Sequence, residues 1–473
     1  MDLSAPPNAL HSAYDPCYDP LVAPHPGRGT DYAPTYWVAS AGQPPGDDGP
    51  IDGDTDADVV IVGSGFTGLA TALFLAREHD IRTTMHEANR AVWGCTSRNG
   101  GQGQNASGRL YRSQWIARWG KAVALKLDAE IRQGFETFKA LVAEFPECEP
   151  QGGGHLYTAH RAKKMAFLAS EAEVMRRVFG YDTEVLGPAE VRERYVGDAE
   201  AAGAMHEPDG IGVHPVKLAF GYLRKARELG ARVHPSSPVT GFETRGGVHH
   251  LRTPGGTVRA RAVGFATGGY TSNGLHRNLD SKIMPILSNS LVTRVLTDEE
   301  LKATGFKTNQ VITDTRTLRF YYRKLPDNRV QIGSRSAITG ADAPNPKHMA
   351  VLVNGLHRKF PALKGIRIDH SWWGWVDVSH DMMPRVAQPD PKQSVFYALG
   401  YGGNGVSFSA HAGRRMAQRI AGRTDPAFEL PIYDSPLEYP NVLNLLRSRA
   451  VAPFRRLGQQ FLYRWYHLKD ELL

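Results

Sequence analysis

The chain has 473 residues, 41% of them apolar and 9% aromatic, with three cysteines and a net charge of +8. That length leaves room for two domains and a buried ligand site, and the composition excludes a collagen-like, disordered or disulfide-stapled protein. The charge is uneven: residues 1–58 hold ten Asp against one Arg, a net of −9, so +17 falls on the rest, yet no zinc finger, RNA-binding aromatic motif or Lys/Arg block accompanies it, which argues against a nucleic-acid partner.

Residues 1–55, rich in Pro, Gly and Asp, read as an extended arm or a partly disordered lead-in. Within it DYAPTYWVAS offers Tyr32, Tyr36 and Trp37 for docking on the body. The opening residues show neither the basic start nor the apolar core of a signal peptide, and no run reaches the roughly 18 apolar residues of a membrane span. A reducing, cytoplasmic setting is expected, without membrane contact, and the scattered cysteines give no ground for a metal site.

From Ala57 the pattern changes. ADVVIVGSGFTGLATALFLAREHDIRTTMHEA predicts a buried strand, a glycine turn, a helix and a second strand ending at Glu87, a βαβ unit. Gly63, Gly65 and Gly68 form G-x-G-x-x-G at the turn, where backbone amides and the positive end of the helix can receive a pyrophosphate. Glu87 follows Gly68 by 19 residues, where a carboxylate can bind ribose hydroxyls and disfavours a 2′-phosphate, so FAD or NAD is expected rather than NADP.

Residues 113–205 read as mainly helical, and HPVKLAFGYLRKARELGARVHP as an amphipathic helix leading into a strand. Three short strands separated by RGG and PGG follow, ending in RAVGFATGGY; residues 283–380 are richer in strand patterns, with RFYYRKLPDNRVQIGS a hairpin turning at Asp327 and Asn328. SVFYALGYGGNGVSFSAHAGRRMAQRIAG then gives a strand, a glycine loop and a helix. The further glycine-rich stretches TSRNGGQG, FATGGY and GYGGNG favour a large flavin met by several loops over an NAD bound by one fingerprint.

The ordered segments VIVGSGFTGLATALFLA, GCTSRNGGQ, GVHPVKLAFGYLRKARELGARV, AVGFATGGY, WGWVDVSHDMMPRV and GYGGNGVSFSAHAGRRMA resemble the FAD-dependent amine and amino-acid oxidase (DAO) family, most of all its γ-glutamylputrescine oxidase-like members, across about residues 35–425. The resemblance implies an α/β fold, a Rossmann-like FAD-binding domain of the glutathione-reductase type with a second, antiparallel β-sheet substrate domain. The FAD domain would comprise 56–112, 209–282 and 384–430, the substrate domain 113–208 and 283–383, and 431–473 a helical tail. FAD, held without a covalent bond, would meet Gly63, Gly65, Phe66, Thr67 and Gly68 at the first turn, Glu87 and Ala88 at the ribose, and Val239 near the adenine. Thr96, Ser97, Arg98, Asn99, Gly100, Gly101 and Gln102 would cross beside the flavin, with Ala266, Thr267 and Gly268 close by and Gly402, Gly403, Asn404, Gly405 and Val406 at the isoalloxazine. Arg98 stands where some relatives carry a flavin-linked histidine, and Cys95 where close relatives carry alanine, as a packed and unreactive thiol.

The implied reaction oxidises a C–N bond to an imine by hydride transfer to flavin N5, with hydrolysis to an aldehyde or keto product and O2 or another electron acceptor. An FAD monooxygenase and a catalytically degenerate flavoprotein partner are the alternatives. Val376 and Gly403 replace two arginines that grip the substrate carboxylate in relatives, which disfavours a plain amino acid and favours an amine with other handles. Trp373, Trp375 and one of Tyr321 and Tyr322 are candidate aromatic walls, His380 a candidate base, and Asn404 a candidate contact to substrate or ring. No oligomeric state is implied.

Overall fold

A computed structural model describes residues 12–280, 282–434 and 452–471. Residues 1–11 of the expected arm and 435–451 and 472–473 of the expected tail lie outside the described residues. Two sheets organise the body. In the first, Arg385–Ala387, Val395–Leu399, Gly256–Phe265, Thr55–Val62, Thr83–His86 and Arg232–His234 lie side by side, with Val248–Thr253 and Gly241–Arg245 continuing as a ribbon from Gly256–Phe265. The central pairs are parallel. Thr55–Val62 is buried on both faces over Val59–Val62, as a strand covered by crossover helices must be.

Parallel pairing aligns the carboxyl ends of these strands. Val62 sits opposite His86 on one side and Phe265 on the other, and Phe265 opposite Tyr397. The glycine turns at Gly63, Ala266 and Gly400 therefore emerge together, at the edge where open α/β sheets bind ligands. The helix Phe66–His79 starts directly from this edge and packs against Gly405–Ile420 and Pro215–Glu228.

The second sheet runs Ile368–Val378, Met284–Thr293, Val330–Ser334, Tyr321–Lys324, Val311–Asp314, His155–Thr158, Ala204–Glu207 and Glu184–Leu186, antiparallel except where Val311–Asp314 meets His155–Thr158. The expected hairpin is present, with Asn328 in the left-handed region at its turn. One face of this sheet closes a core with Leu156, Ile312, Tyr322, Ile332, Leu352 and Leu356, leaving the other to face the first domain.

The arm is docked along the part described, not disordered. Tyr32 Oη donates to Ala91 O at 2.7 Å, Tyr36 Oη to Asp327 Oδ2 at 2.8 Å and Trp37 Nε1 to Asn99 O at 2.7 Å. The tail helix Ala452–Glu471 crosses the arm through Arg456 and Asp19, 2.8 Å apart, and ends on the segment 316–318 between two strands of the second sheet. Among the described residues no helix is long and apolar enough to cross a membrane.

Candidate active site

A cavity of about 490 Å³ runs from the carboxyl ends of the parallel strands to the inner face of the second sheet. At one end lie Gly63, Gly65, Phe66 and Thr67. A Cβ on Gly63 would lie 2.7 Å from Ala266 O, and its φ of +100° suits only glycine. The Phe66 amide donates to Thr96 Oγ1 at 3.0 Å, so the second glycine-rich loop is tied to the start of the helix. Gly68 does not line the cavity: a Cβ there would meet Gly63 O at 1.9 Å, so it serves close helix–strand packing rather than ligand contact.

Glu87 closes the second strand. Its Oε2 accepts from Ser64 N at 3.0 Å and Ser64 Oγ at 2.9 Å, and Oε1 from Asn89 N at 3.2 Å. Burial pushes its carboxyl up in pKa, and these donors oppose the push. Ala88 and Val239 line the same end, together with Pro24, His25 and Pro26 of the arm, a contribution that sequence periodicity gave no means to foresee.

The arginine loop forms the next stretch of wall through Thr96, Arg98, Asn99, Gly100 and Gln102. Arg98 is buried with its guanidinium carbon 4.2 Å from the Trp93 ring centroid and 5.1 Å from that of Tyr270, while its Nε and Nη2 find no hydrogen-bond acceptor among the described residues. Gln102 Oε1 is likewise unmatched. Ser97 and Gly101 face away: Ser97 O accepts from Thr35 Oγ1 of the arm, and Gly101 packs on Val213 O. The Cys95 thiol is pushed up to about 12 by burial, which keeps it protonated and inert.

Ala266, Thr267, Gly268, Gly402, Gly403, Asn404, Gly405 and Val406 line the middle. Asn404 stands at the first position before the helix Gly405–Ile420 without a side-chain bond to it, and its Nδ2 donates to Gly108 O instead. Asp377 lies beneath, accepting from Gly400 N at 2.6 Å, and burial pushes its carboxyl up to about 6. At the far end Tyr321 lies flat across Gly333, where a Cβ would come 2.2 Å from its ring, and its hydroxyl meets Ser288 Oγ at 3.0 Å and Ser290 Oγ at 3.2 Å. Tyr322, on the opposite face, is in the core with its hydroxyl on Asp198, as strand alternation requires.

Beyond Gly68, Ser97 and Gly101, three expectations are corrected. Trp373 and Trp375 point out of the cavity, donating to Pro16 O and Tyr18 O of the arm at 3.0 Å each; Gly374 and Val376, of opposite parity on the strand, face in. His380 does not line the cavity either. It sits in a turn that Asp381 organises by accepting from Met383 N at 3.2 Å and pairing with Arg385. Arg109, Arg319, Arg335 and Asp377, on the other hand, all line the wall without having been singled out in the sequence. Residues 58–419 match the family described as FAD dependent oxidoreductase, DAO.

The chain belongs to the DAO family.

This DAO-family chain is 30% identical to the gamma-glutamylputrescine oxidoreductase of Escherichia coli (strain K12), over 94% of its own length and 99% of that protein's. It is 26% identical to the sarcosine oxidase subunit beta of an Arthrobacter species, over 84% and 94% of the two chains. In fold it matches the crystal structure of glycine oxidase from Geobacillus kaustophilus with a TM-score of 0.70 at 21% identity, covering 82% of this chain and 100% of that one. It also matches L-proline dehydrogenase from P. horikoshii with a TM-score of 0.65 at 19% identity, covering 81% and 98%. The protein is an FAD-dependent oxidoreductase, and its residues suit the cofactor: glycine-lined backbone at the first turn, a carboxylate at Glu87 on the cavity wall, and unmatched donors on Arg98.

Proposed function

We propose that this DAO-family enzyme oxidises a C–N bond of a small amine or amino-acid derivative to an imine, which water hydrolyses to a carbonyl product, with O2 as electron acceptor and in a reducing, cytoplasmic compartment. The observation that carries this reading is the single cavity joining the Gly63–Thr67 turn and Glu87 to a second chamber walled by Tyr321, Ser288, Val376 and the Gly402–Val406 loop. Gly63, Gly65, Phe66, Thr67, Glu87, Ala88, Val239 and Arg98 would hold the dinucleotide, and Gly402–Val406 the ring.

When bound, FAD supplies a two-electron acceptor that takes hydride from the carbon bearing the amine nitrogen. The chain's own residues prepare that transfer. The amino end of the helix Gly405–Ile420, whose first amides receive no side-chain cap, faces this part of the cavity and favours negative charge there. Tyr321, held by Ser288 and Ser290, forms a rigid wall that orients the substrate and excludes water. The substrate amine must be neutral before it can give up hydride. With His380 outside the cavity, the positive potential of Arg109, Arg319 and Arg335 on the wall lowers the pKa of the incoming ammonium, which releases its proton to water.

Anaerobic titration of the purified holoenzyme tests the reading. Its flavin absorbance should bleach with at least one member of a panel of polyamines, γ-glutamyl amines, cyclic imino acids and N-methyl amino acids, and return with hydrogen peroxide release on admitting air. Bleaching by NADPH alone would instead support a monooxygenase, and no bleaching by any amine would overturn the proposal.

A further inference from the structure

The tail helix Ala452–Glu471 has two faces of opposite character. One is docked on the body: Arg456, Gln459, Tyr463 and Asp470 are buried, and helical spacing sets them within about 60° of one another around the axis. Both ends of this face are fixed. Arg456 Nη1 donates to Pro285 O at 3.0 Å and Nη2 to Asp19 Oδ1 at 2.8 Å, while Asp470 Oδ2 accepts from Thr317 N at 2.6 Å and Glu471 pairs with Arg316 at 2.7 Å. The opposite face is therefore held outward in one orientation.

That outward face is apolar. Phe454, Leu457, Phe461, Trp465 and Leu468 recur at intervals of three and four residues and are all exposed, Phe461 at 73%, with Leu462 exposed beside them. Among the described residues no other Phe or Trp is exposed. Three aromatic rings and three leucines gathered in one stripe on a fixed helix form the kind of contiguous apolar patch that marks an interaction surface.

Charge decides the kind of partner. Residues 447–473 contain six Arg and Lys against two acids, and both acids, Asp470 and Glu471, are taken up by bonds to the body. Arg464 and Lys469 stay exposed, one on each side of the stripe, and no exposed residue of the helix is acidic. Aromatic and leucine side chains bordered by cations are the make-up of a helix that lies in a lipid interface, its rings entering the headgroup boundary while the long basic stems reach up to anionic headgroups. A second copy of the chain fits less well, since two such faces would set cation against cation with no carboxylate to receive them. We propose that the tail helix seats this enzyme on an anionic lipid surface. The contact is peripheral, because among the described residues no helix is long and apolar enough to cross a membrane. The expectation of no membrane contact is thereby reversed.

Co-sedimentation of the holoenzyme with vesicles tests this. Equimolar phosphatidylglycerol and phosphatidylcholine should carry the protein into the pellet, phosphatidylcholine alone much less, and added salt should release part of it. Phe461→Ser combined with Trp465→Ser should weaken partition to the anionic vesicles by about 100-fold, as expected for the loss of two buried rings. Arg464→Gln combined with Lys469→Gln should weaken it by about 30-fold on the anionic vesicles and leave binding to phosphatidylcholine unchanged. Both double variants should keep full flavin content and the wild-type Tm, because the altered side chains are exposed and none lines the cavity. Holoenzyme that stays in the supernatant with anionic vesicles, or binding that both double variants retain in full, would overturn the proposal. A dimer in light scattering that Phe461→Ser with Trp465→Ser abolishes, without vesicle binding, would assign the stripe to a second copy instead. A fall in Tm of that variant without vesicle binding would assign it to a segment of the same chain, and either result sinks the lipid surface.

Discussion

Asp377 shows how a single side chain reports on its surroundings. Its carboxyl, raised to about 6 by burial, has an unfolded value of about 3.9. Between those pH values the folded protein keeps a proton that the unfolded chain has released. The contribution of Asp377 is therefore most favourable below about pH 4 and is lost as pH rises through about 6, a change of about 3 kcal/mol. Asp377→Asn should flatten this part of the stability curve, measured by urea denaturation across a pH series; an identical slope in the variant would refute the assignment. Nothing in WGWVD marks Asp377 as different from a surface acid, because its pKa is set by what folds over it. The place of Glu87 was legible for the opposite reason: it depends on a local spacing from Gly68, within one βαβ unit.

At the scale of elements, the two helices that open onto the cavity are held in register by small residues. A Cβ on Gly413 would lie 2.7 Å from Thr67 O and 2.8 Å from Ala70 Cβ, so Gly405–Ile420 touches the backbone of Phe66–His79 directly. Gly413→Val should push them apart at a cost of about 1–3 kcal/mol and, because Thr67 and Gly405 both line the cavity, weaken FAD retention. Calorimetry with fluorescence of released flavin checks both effects, and full flavin content with unchanged Tm would refute it. The elements themselves were readable from period and glycine placement. Their faces were less so: Ile368–Val378 carries tryptophans at three of the four positions 372–375, so its parity does not show in the sequence, and Trp373 and Trp375 were expected in the cavity they turn away from.

At the scale of the molecule, the tail helix joins the arm and the substrate sheet. Asp470 is buried, accepting from Thr317 N at 2.6 Å and Leu318 N at 3.3 Å, while its carbonyl accepts from His160 Nε2 at 3.1 Å. Asp470→Ala leaves these amides without their acceptor and should lower stability by about 1–3 kcal/mol. An unaltered thermal transition in calorimetry would show the docking to be dispensable. The sequence by itself determined the βαβ unit, the G-x-G-x-x-G turn and the family, because each is written in residues close together in the chain or in motifs of fixed order. Only the tertiary structure decided that Trp373 and Trp375 turn away from the cavity, that His380 stands apart, and that Arg109, Arg319 and Arg335 share one wall. Those residues come from segments far apart in sequence, and a charge becomes a binding site only when folding brings it near other charges and strips away the water that would screen it.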